Sequence, residues 1–233
     1  MSLRVLHVSA EVAPYSRTGG LGDVLGALPA AQRRRGIFAR VISPLYGFTR
    51  RDDIAPVRTL TVHLAGEPFV VKLWASADKW NLFVDVPGLL DRPDPFGPAG
   101  QPYEDNPLRF AVLCKVAASM ADETDIYHLH DWQASLTALY LRARRPSIQS
   151  VHNLAYQGLC DFSWADRIEV PRALRSFEGL EYFGEMSLLK AGLVLADRLA
   201  TVSPTYAREL QREPSGRGLS GLFRFRKTGL IGI

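Results

Sequence analysis

At 233 residues, with 47% hydrophobic and 22% charged residues, the chain is long enough to bury one sizeable core and has the balance of an ordinary globular protein rather than a disordered one. Its only cysteines, Cys114 and Cys160, form no CxxC pair, which argues against a disulfide framework or a zinc knuckle and fits a reducing cytoplasm. The net charge of +4 sits between Ser203 and Ile233, where six basic residues face two acidic ones, so no nucleic-acid-binding face runs across the rest of the chain and the end reads as a solvated basic tail.

The first residues carry Glu11 and Pro14 too early for a signal-peptide core, and no apolar run approaches the roughly 20 residues of a membrane span, so the chain is expected to be neither exported nor embedded. Leu3 to Ser9 is a short apolar run of the kind buried on both faces of a parallel sheet. A glycine-rich loop follows. From Asp23 the pattern predicts a helix with Val24, Leu28 and Ala31 on one side, basic residues in its last turn and Gly36 as its stop; Pro29 should bend it. Ala39 to Pro44 is the next strand, completing a β-loop-α-β unit of Rossmann-like type.

Three β-rich runs between Ile54 and Val86, joined by short turns, predict a small antiparallel insertion. Pro87 to Pro107 holds six prolines and three glycines and must be loop, of a length that is usually functional or disordered. Helical period returns with Phe110, Leu113, Cys114, Ala117 and Met120 on one stripe, which makes Cys114 a core residue. "DIYHLHDW" then predicts a strand ending in a polar cluster, "QASLTALYLRAR" a helix, and "SIQSVHNLAYQG" another strand with a polar end. A helix around "EMSLLKAGLVLA", the strand "RLATVS" and a helix beginning at Pro204 complete the alternation. The repeated β-α order predicts an α/β fold, a Rossmann-like doubly wound and mostly parallel sheet.

In such sheets ligands bind beyond the carboxyl ends of the strands. Three groups fall there: Gly19, Gly20 and Gly22 after the first strand, His130-Asp131-Trp132 after a middle one, and His152-Asn153 after the next. The glycines let backbone N–H groups approach a ligand while the helix dipole favours an anion such as a nucleotide phosphate. A tight turn without ligand fits the same letters, since "GGLG" is neither GxGxxG nor a P-loop. His130 and His152 equally fit polar residues that satisfy buried backbone groups, and His7 and His128, within strands, read as buried and hydrogen-bonded. A zinc hydrolase built on His128, His130 and His152 is conceivable because two histidines two apart face the same way, but further ligands are missing; no serine nucleophile motif is present.

Together, "VLHVSAEVAPYSRTGGLGDVLGALPAA", "DRPDPFG", "EDNPLRFAVL", "HLHDWQASL", "VHNLAYQG" and "FGEMSLLKAGLVLADRLATVSPTYARELQ" closely resemble the N-terminal half of bacterial glycogen synthases and plant starch synthases, over about residues 3 to 212. The resemblance implies the acceptor-side N-terminal domain of a two-domain GT-B glycosyltransferase in residues 1–212, with 213–233 a basic tail leading toward a C-terminal donor-binding domain. It implies retaining transfer of glucose from ADP-glucose to the 4-hydroxyl of an α-1,4-glucan (glycogen or malto-oligosaccharides), with no cofactor, metal, nucleic acid or membrane. His152 and Asp131 are the implied catalytic residues, and Arg17, Gly19, Gly20, Asp23, His130, Asn153, Phe96 and Tyr103 the implied substrate contacts. His152 is expected beside the donor glucose with its carbonyl toward the anomeric centre. Arg17 stands where the family has lysine, and Phe96 where it has tyrosine, which removes a hydroxyl from a loop expected at the acceptor glucan. By itself the chain is expected to bind malto-oligosaccharide weakly and to turn over negligibly; a stand-alone glucan-binding module is the alternative.

Overall fold

The structure, a computed structural model, describes residues 2–141 and 144–233. In chain order it contains β1 (Arg4–Val8), α1 (Gly20–Arg33), β2 (Phe38–Pro44), β3 (Ile54–Leu64), β4 (Glu67–Ser76), β5 (Asn81–Asp85), α2 (Asn106–Ala118), β6 (Ile126–His130) and α3 (Asp131–Leu141). These are followed by β7 (Ser147–Val151), β8 (Leu159–Cys160), α4 (Trp164–Arg167), β9 (Glu181–Tyr182), β10 (Glu185–Ser187), α5 (Leu188–Leu195), β11 (Arg198–Thr201), α6 (Pro204–Glu209), α7 (Ser220–Phe225) and β12 (Leu230–Gly232). One sheet of nine strands runs in the order β12-β11-β7-β6-β1-β2-β5-β4-β3. From β12 to β5 every neighbouring pair is parallel, and β4 and β3 extend the sheet antiparallel.

Strand β1 leads to β2 on one side while β6 pairs on its other side, so the strand order reverses between β1 and β6. That is the switch point at which open α/β sheets leave a crevice beyond their carboxyl ends. Alternate residues feed opposite layers. Leu6, Val8, Ile42, Val84 and Leu129 join one cluster with α2, α3 and α5, while Val41 and Phe83 join another with Leu25, Leu21 and Val24 of α1. His7 is in register with Val41 and with His128, so the histidines lie on the α1 face.

Several elements differ from the sequence expectation. Helix α1 starts at Gly20 rather than Asp23 and buries Gly22, Leu25 and Pro29, which share one face at i, i+3, i+7 with Gly22 packed against Ser16, not the Val24-Leu28-Ala31 stripe. Pro29 is accommodated, and the helix continues to Arg33. The third run expected in an antiparallel insertion is β5, which pairs parallel with β2 because Leu82, Phe83 and Val84 are apolar on both faces and belong in the sheet interior. A second, three-stranded antiparallel sheet, β8-β10-β9, arises in a stretch to which the sequence assigned no strand.

The proline-rich segment 87–107 is ordered by a buried arginine. Arg109, without exposed surface, donates from Nε to Leu89 O (2.8 Å) and from Nη1 to Pro95 O (2.9 Å) and Asn106 Oδ1 (2.7 Å), while Arg92 and Asp105 close the segment with a two-pronged ion pair (2.7 and 2.6 Å). Residues 213–233 are not a solvated tail. Phe223 of α7 is fully buried, β12 adds in parallel to β11, and Arg226 donates to the carbonyls of Leu193, Val194 and Ala196 at the end of α5, where a cation complements the exposed carbonyls of the helix.

Candidate functional site

The glycine loop is held from below by a residue absent from the sequence-derived set. Glu11, 3% exposed, accepts from Thr18 N and Thr18 Oγ1 (both 2.5 Å) and from Gly19 N (3.4 Å). The three glycines have different duties. A Cβ at Gly22 would lie 2.9 Å from Ser16 O, so Gly22 is required by packing of α1 under the loop rather than by a ligand. A Cβ at Gly19 or Gly20 would meet nothing within 4 Å, and Gly19 has an extended backbone that any residue adopts (φ −159°). Neither conformation nor contact within the chain requires glycine at 19 and 20, and both backbones are exposed. Arg17 and Asp23 flank this opening as an ion pair of 2.9 Å, with both side chains more than half exposed. So exposed a pair is worth little and leaves Arg17 free to turn to an anion.

Asp131 begins α3 at the end of β6 with φ +55°, a left-handed conformation uncommon outside glycine and found preferentially at functional sites. Its carboxylate accepts from His152 N (2.8 Å) and Asn153 N (3.5 Å), tying the end of β6 to the end of β7. Burial, with Glu11 nearby adding like charge, pushes the Asp131 carboxyl up to about 7 although the two N–H donors pull it down. Glu11 thus serves both the glycine loop and the Asp131 environment, which brings the ends of β1, β6 and β7 to one place. A trans peptide points its N–H and C=O in opposite directions, so the Asn153 N–H turned to Asp131 turns the His152 carbonyl away from it.

The two polar motifs also interlock through Trp132 and Gly158. Gly158 has φ +62°, and a Cβ there would fall 2.3 Å from Cε3 of the indole. Trp132 in turn meets Phe110 edge to face at 4.9 Å, and Phe110 contacts Phe96 of the proline-rich segment at 6.1 Å. Phe96 and Tyr103 are half-buried; Tyr103 lies over the guanidinium groups of Arg92 (4.6 Å) and Arg109 (4.8 Å).

Of the residues expected at the substrate, Arg17, Gly19, Gly20, Asp23 and Asn153 are exposed and His152 is half-buried. His130 differs: it has no exposed surface, and its ring nitrogens lie 3.0 Å from Nδ1 of His7 and 2.9 Å from Nε2 of His152. Sitting inside the sheet, it reaches a ligand only through His152. Burial depresses all four rings, to about 4 for His7 and His152 and well below the usual range for His128 and His130, so they are neutral at pH 7. For a metal, the described cluster is His7, His128 and His130, with donor atoms within 4.8 Å of one another, rather than the set with His152. Both nitrogens of His7 and of His130 already face hydrogen-bond partners, and such a donor set suits a hydrogen-bonded core better than a cation.

A family model described as the starch synthase catalytic domain matches residues 4–225. Glycogen synthase from Paracoccus denitrificans is 40% identical over 99% of this chain and 52% of that protein, and glycogen synthase 2 from Bradyrhizobium diazoefficiens is 43% identical over 99% and 50%. The chain therefore spans about half the length of the curated relatives it matches. Among solved structures, the catalytic domain of starch synthase IV from Arabidopsis thaliana, bound to ADP and acarbose, superposes with a TM-score of 0.90 at 25% identity, covering 100% of this chain and 51% of that one. Sucrose-phosphate synthase from Thermosynechococcus elongatus shares the fold at a TM-score of 0.51 and 15% identity, covering 93% and 46%.

Proposed function

The chain belongs to the starch synthase catalytic domain family, and we propose that it forms the acceptor-side half of a GT-B glycosyltransferase that moves glucose, with retention, from ADP-glucose to the 4-hydroxyl of an α-1,4-glucan. The observation that carries this reading is the convergence of Gly19 and Gly20, Asp131 and His152 at one switch-point edge, with Glu11 beneath them. Cleavage of the donor creates an oxocarbenium-like sugar and a departing diphosphate. The site must then stabilise positive charge at one carbon and negative charge a few ångströms away.

In this reading Arg17 leaves Asp23 to meet the diphosphate beside the unobstructed backbone of Gly19 and Gly20. The His152 carbonyl, directed by the grip of Asp131 on the next N–H, faces the anomeric carbon, and the His152 ring meets a sugar hydroxyl. Asp131 is a positioning group and not a nucleophile: its carboxylate is engaged by two backbone N–H groups and is partly protonated near neutrality. The proton of the incoming hydroxyl passes to the leaving phosphate, so the paired carboxylates of glycosidases are not needed. Phe96 and Tyr103, on the segment clamped by Arg109, supply aromatic surface to the acceptor glucan. Among the described residues no helix is long and apolar enough to cross a membrane, and both cysteines are buried and unpaired.

The remaining diphosphate contacts belong, in this reading, to the part of the relatives' length that this chain does not span. Purified chain titrated with maltoheptaose is expected to show weak saturable binding, reduced several-fold by Tyr103→Ala, and no measurable glucan elongation from ADP-glucose. Absence of binding would overturn the acceptor-side assignment, and measurable elongation would overturn its restriction to half of the site.

A further inference from the structure

A line of hydrogen bonds crosses the sheet beneath the site. Gln32, in the last turn of α1, places Oε1 2.7 Å from Nε2 of His7. His7 Nδ1 lies 3.0 Å from His130 Nε2, and His130 Nδ1 lies 2.9 Å from His152 Nε2. Strand pairing builds the line: β6 lies between β1 and β7, with His7 opposite His128 and His130 opposite Ser150, two residues before His152. His128 flanks it, stacked on His130 at 4.2 Å and tied by Nε2 to Ser150 Oγ at 2.7 Å.

A neutral imidazole has one N–H and one bare nitrogen. Three neutral rings in series, each using one nitrogen per neighbour, therefore have only two consistent arrangements. In one, every N–H points toward Gln32; in the other, every N–H points toward His152. An imidazolium in the line is disfavoured by burial and by Arg33 beside His7. Gln32 turns Oε1, which has lone pairs and no hydrogen, toward His7 and so selects the first arrangement; its NH2 turned there would select the second. We propose that Gln32, remote from the cleft, is a positioning residue that sets the tautomer of His152 through His7 and His130, leaving His152 with hydrogen on Nε2 and a bare Nδ1. Among the described residues no hydrogen bond engages His152 Nδ1, so the bare nitrogen ends the line.

The consequence for chemistry rests on the proposed function: His152 accepts a hydrogen bond from a sugar hydroxyl and does not donate one. A ring free to adopt either tautomer would spend part of its time with the wrong polarity. The line makes that choice inside the fold before ligand arrives, which is preorganisation by buried hydrogen bonding.

The test uses the full chain, labelled with 15N in its five histidines, and reads the tautomer of each ring from long-range proton-nitrogen correlations at pH 7, with no ligand present. The expected result is His152 in the Nε2–H form in the unmodified protein. Gln32→Leu leaves the His7 Nε2–H without an acceptor, and an unpaired buried donor is costly enough to shift the His152 tautomer ratio about tenfold toward Nδ1–H. A His152 carrying Nδ1–H in the unmodified chain, or a ratio unmoved by Gln32→Leu, overturns the proposal. Should Gln32→Leu fail to fold, Gln32→Met offers the same loss of acceptor with a side chain of nearly the same shape. Because the readout needs no sugar, failure of maltoheptaose binding would leave this result intact, and the reverse.

Discussion

On the α1 face of the central strands, His7, His128 and His130 are all buried, whereas on the outer strands β3 and β4 Val57 and Val70 stand 49% and 62% exposed. The two regions share one sheet and invert the usual placement of polar and apolar groups. At the centre, each buried ring has found a hydrogen-bond partner, so polarity is retained at modest cost and is directed toward the switch-point edge. On β3 and β4 one face is exposed while the other buries Val62, Leu64, Val71 and Leu73 in the core. The central strands therefore carry the candidate site as well as core, while the antiparallel extension contributes core from one face and leaves the other to solvent.

The sharpest way to break that comparison is a core truncation at the centre. Phe110→Ala, at a fully buried ring that touches Trp132, is expected to cost about 4 kcal/mol, read from urea unfolding. An equal loss from truncating an exposed residue of β3 or β4, Val57 or Val70, would erase the contrast. Acidification comes next. The His7 pKa is lowered in the fold from 6.5 to about 4, so its contribution is fully present above about pH 6.5 and is lost as pH falls through 4. For that ring alone the loss at pH 4 is about 3 kcal/mol relative to pH 7. Asp131 has the opposite sign: its folded pKa is raised to about 7, so its contribution is present at low pH and is lost as pH rises through 7. Asp131→Asn is therefore expected to make the acid loss steeper, as measured by urea midpoints between pH 4 and 7.

A smaller effect tests the interlock of the two motifs. Gly158→Ala forces a side chain into a left-handed conformation against the Trp132 indole and is expected to cost about 2 kcal/mol, with a change in tryptophan fluorescence. The smallest belongs to the periphery. Val70→Lys on β4 is expected to change stability by no more than about 0.5 kcal/mol, and a larger loss would mean that the outward face of the edge is not solvated.

Much of this was legible in the letters. The β-α alternation, the strand-end positions of Asp131 and His152 and the core role of Cys114 follow from period and punctuation, because backbone preference and burial act on neighbouring residues. Glu11, Gln32 and Arg109 were not legible. Glu11 reads as an ordinary loop acid, Gln32 as one polar residue on an amphipathic helix, and Arg109 as a charge near a helix start. Their roles depend on partners at Gly19, His7 and the carbonyls of Leu89 and Pro95, contacts made only by packing. The one signal available for Arg109 was a cation at the start of a largely apolar helical run following six prolines, a combination that calls for carbonyl acceptors.

The linear order of residues was enough to determine the fold class, the two polar motifs and the glycine opening, since each rests on local periodicity or on a single residue's backbone freedom. Tertiary structure alone decided which helix face met the sheet, that the last residues joined it as α7 and β12, and that His130 became an interior link between His7 and His152 instead of a surface ligand. The physical reason is that burial and hydrogen-bond partnership are properties of pairs far apart in the chain. No single stretch of residues carries them until the strands are laid side by side.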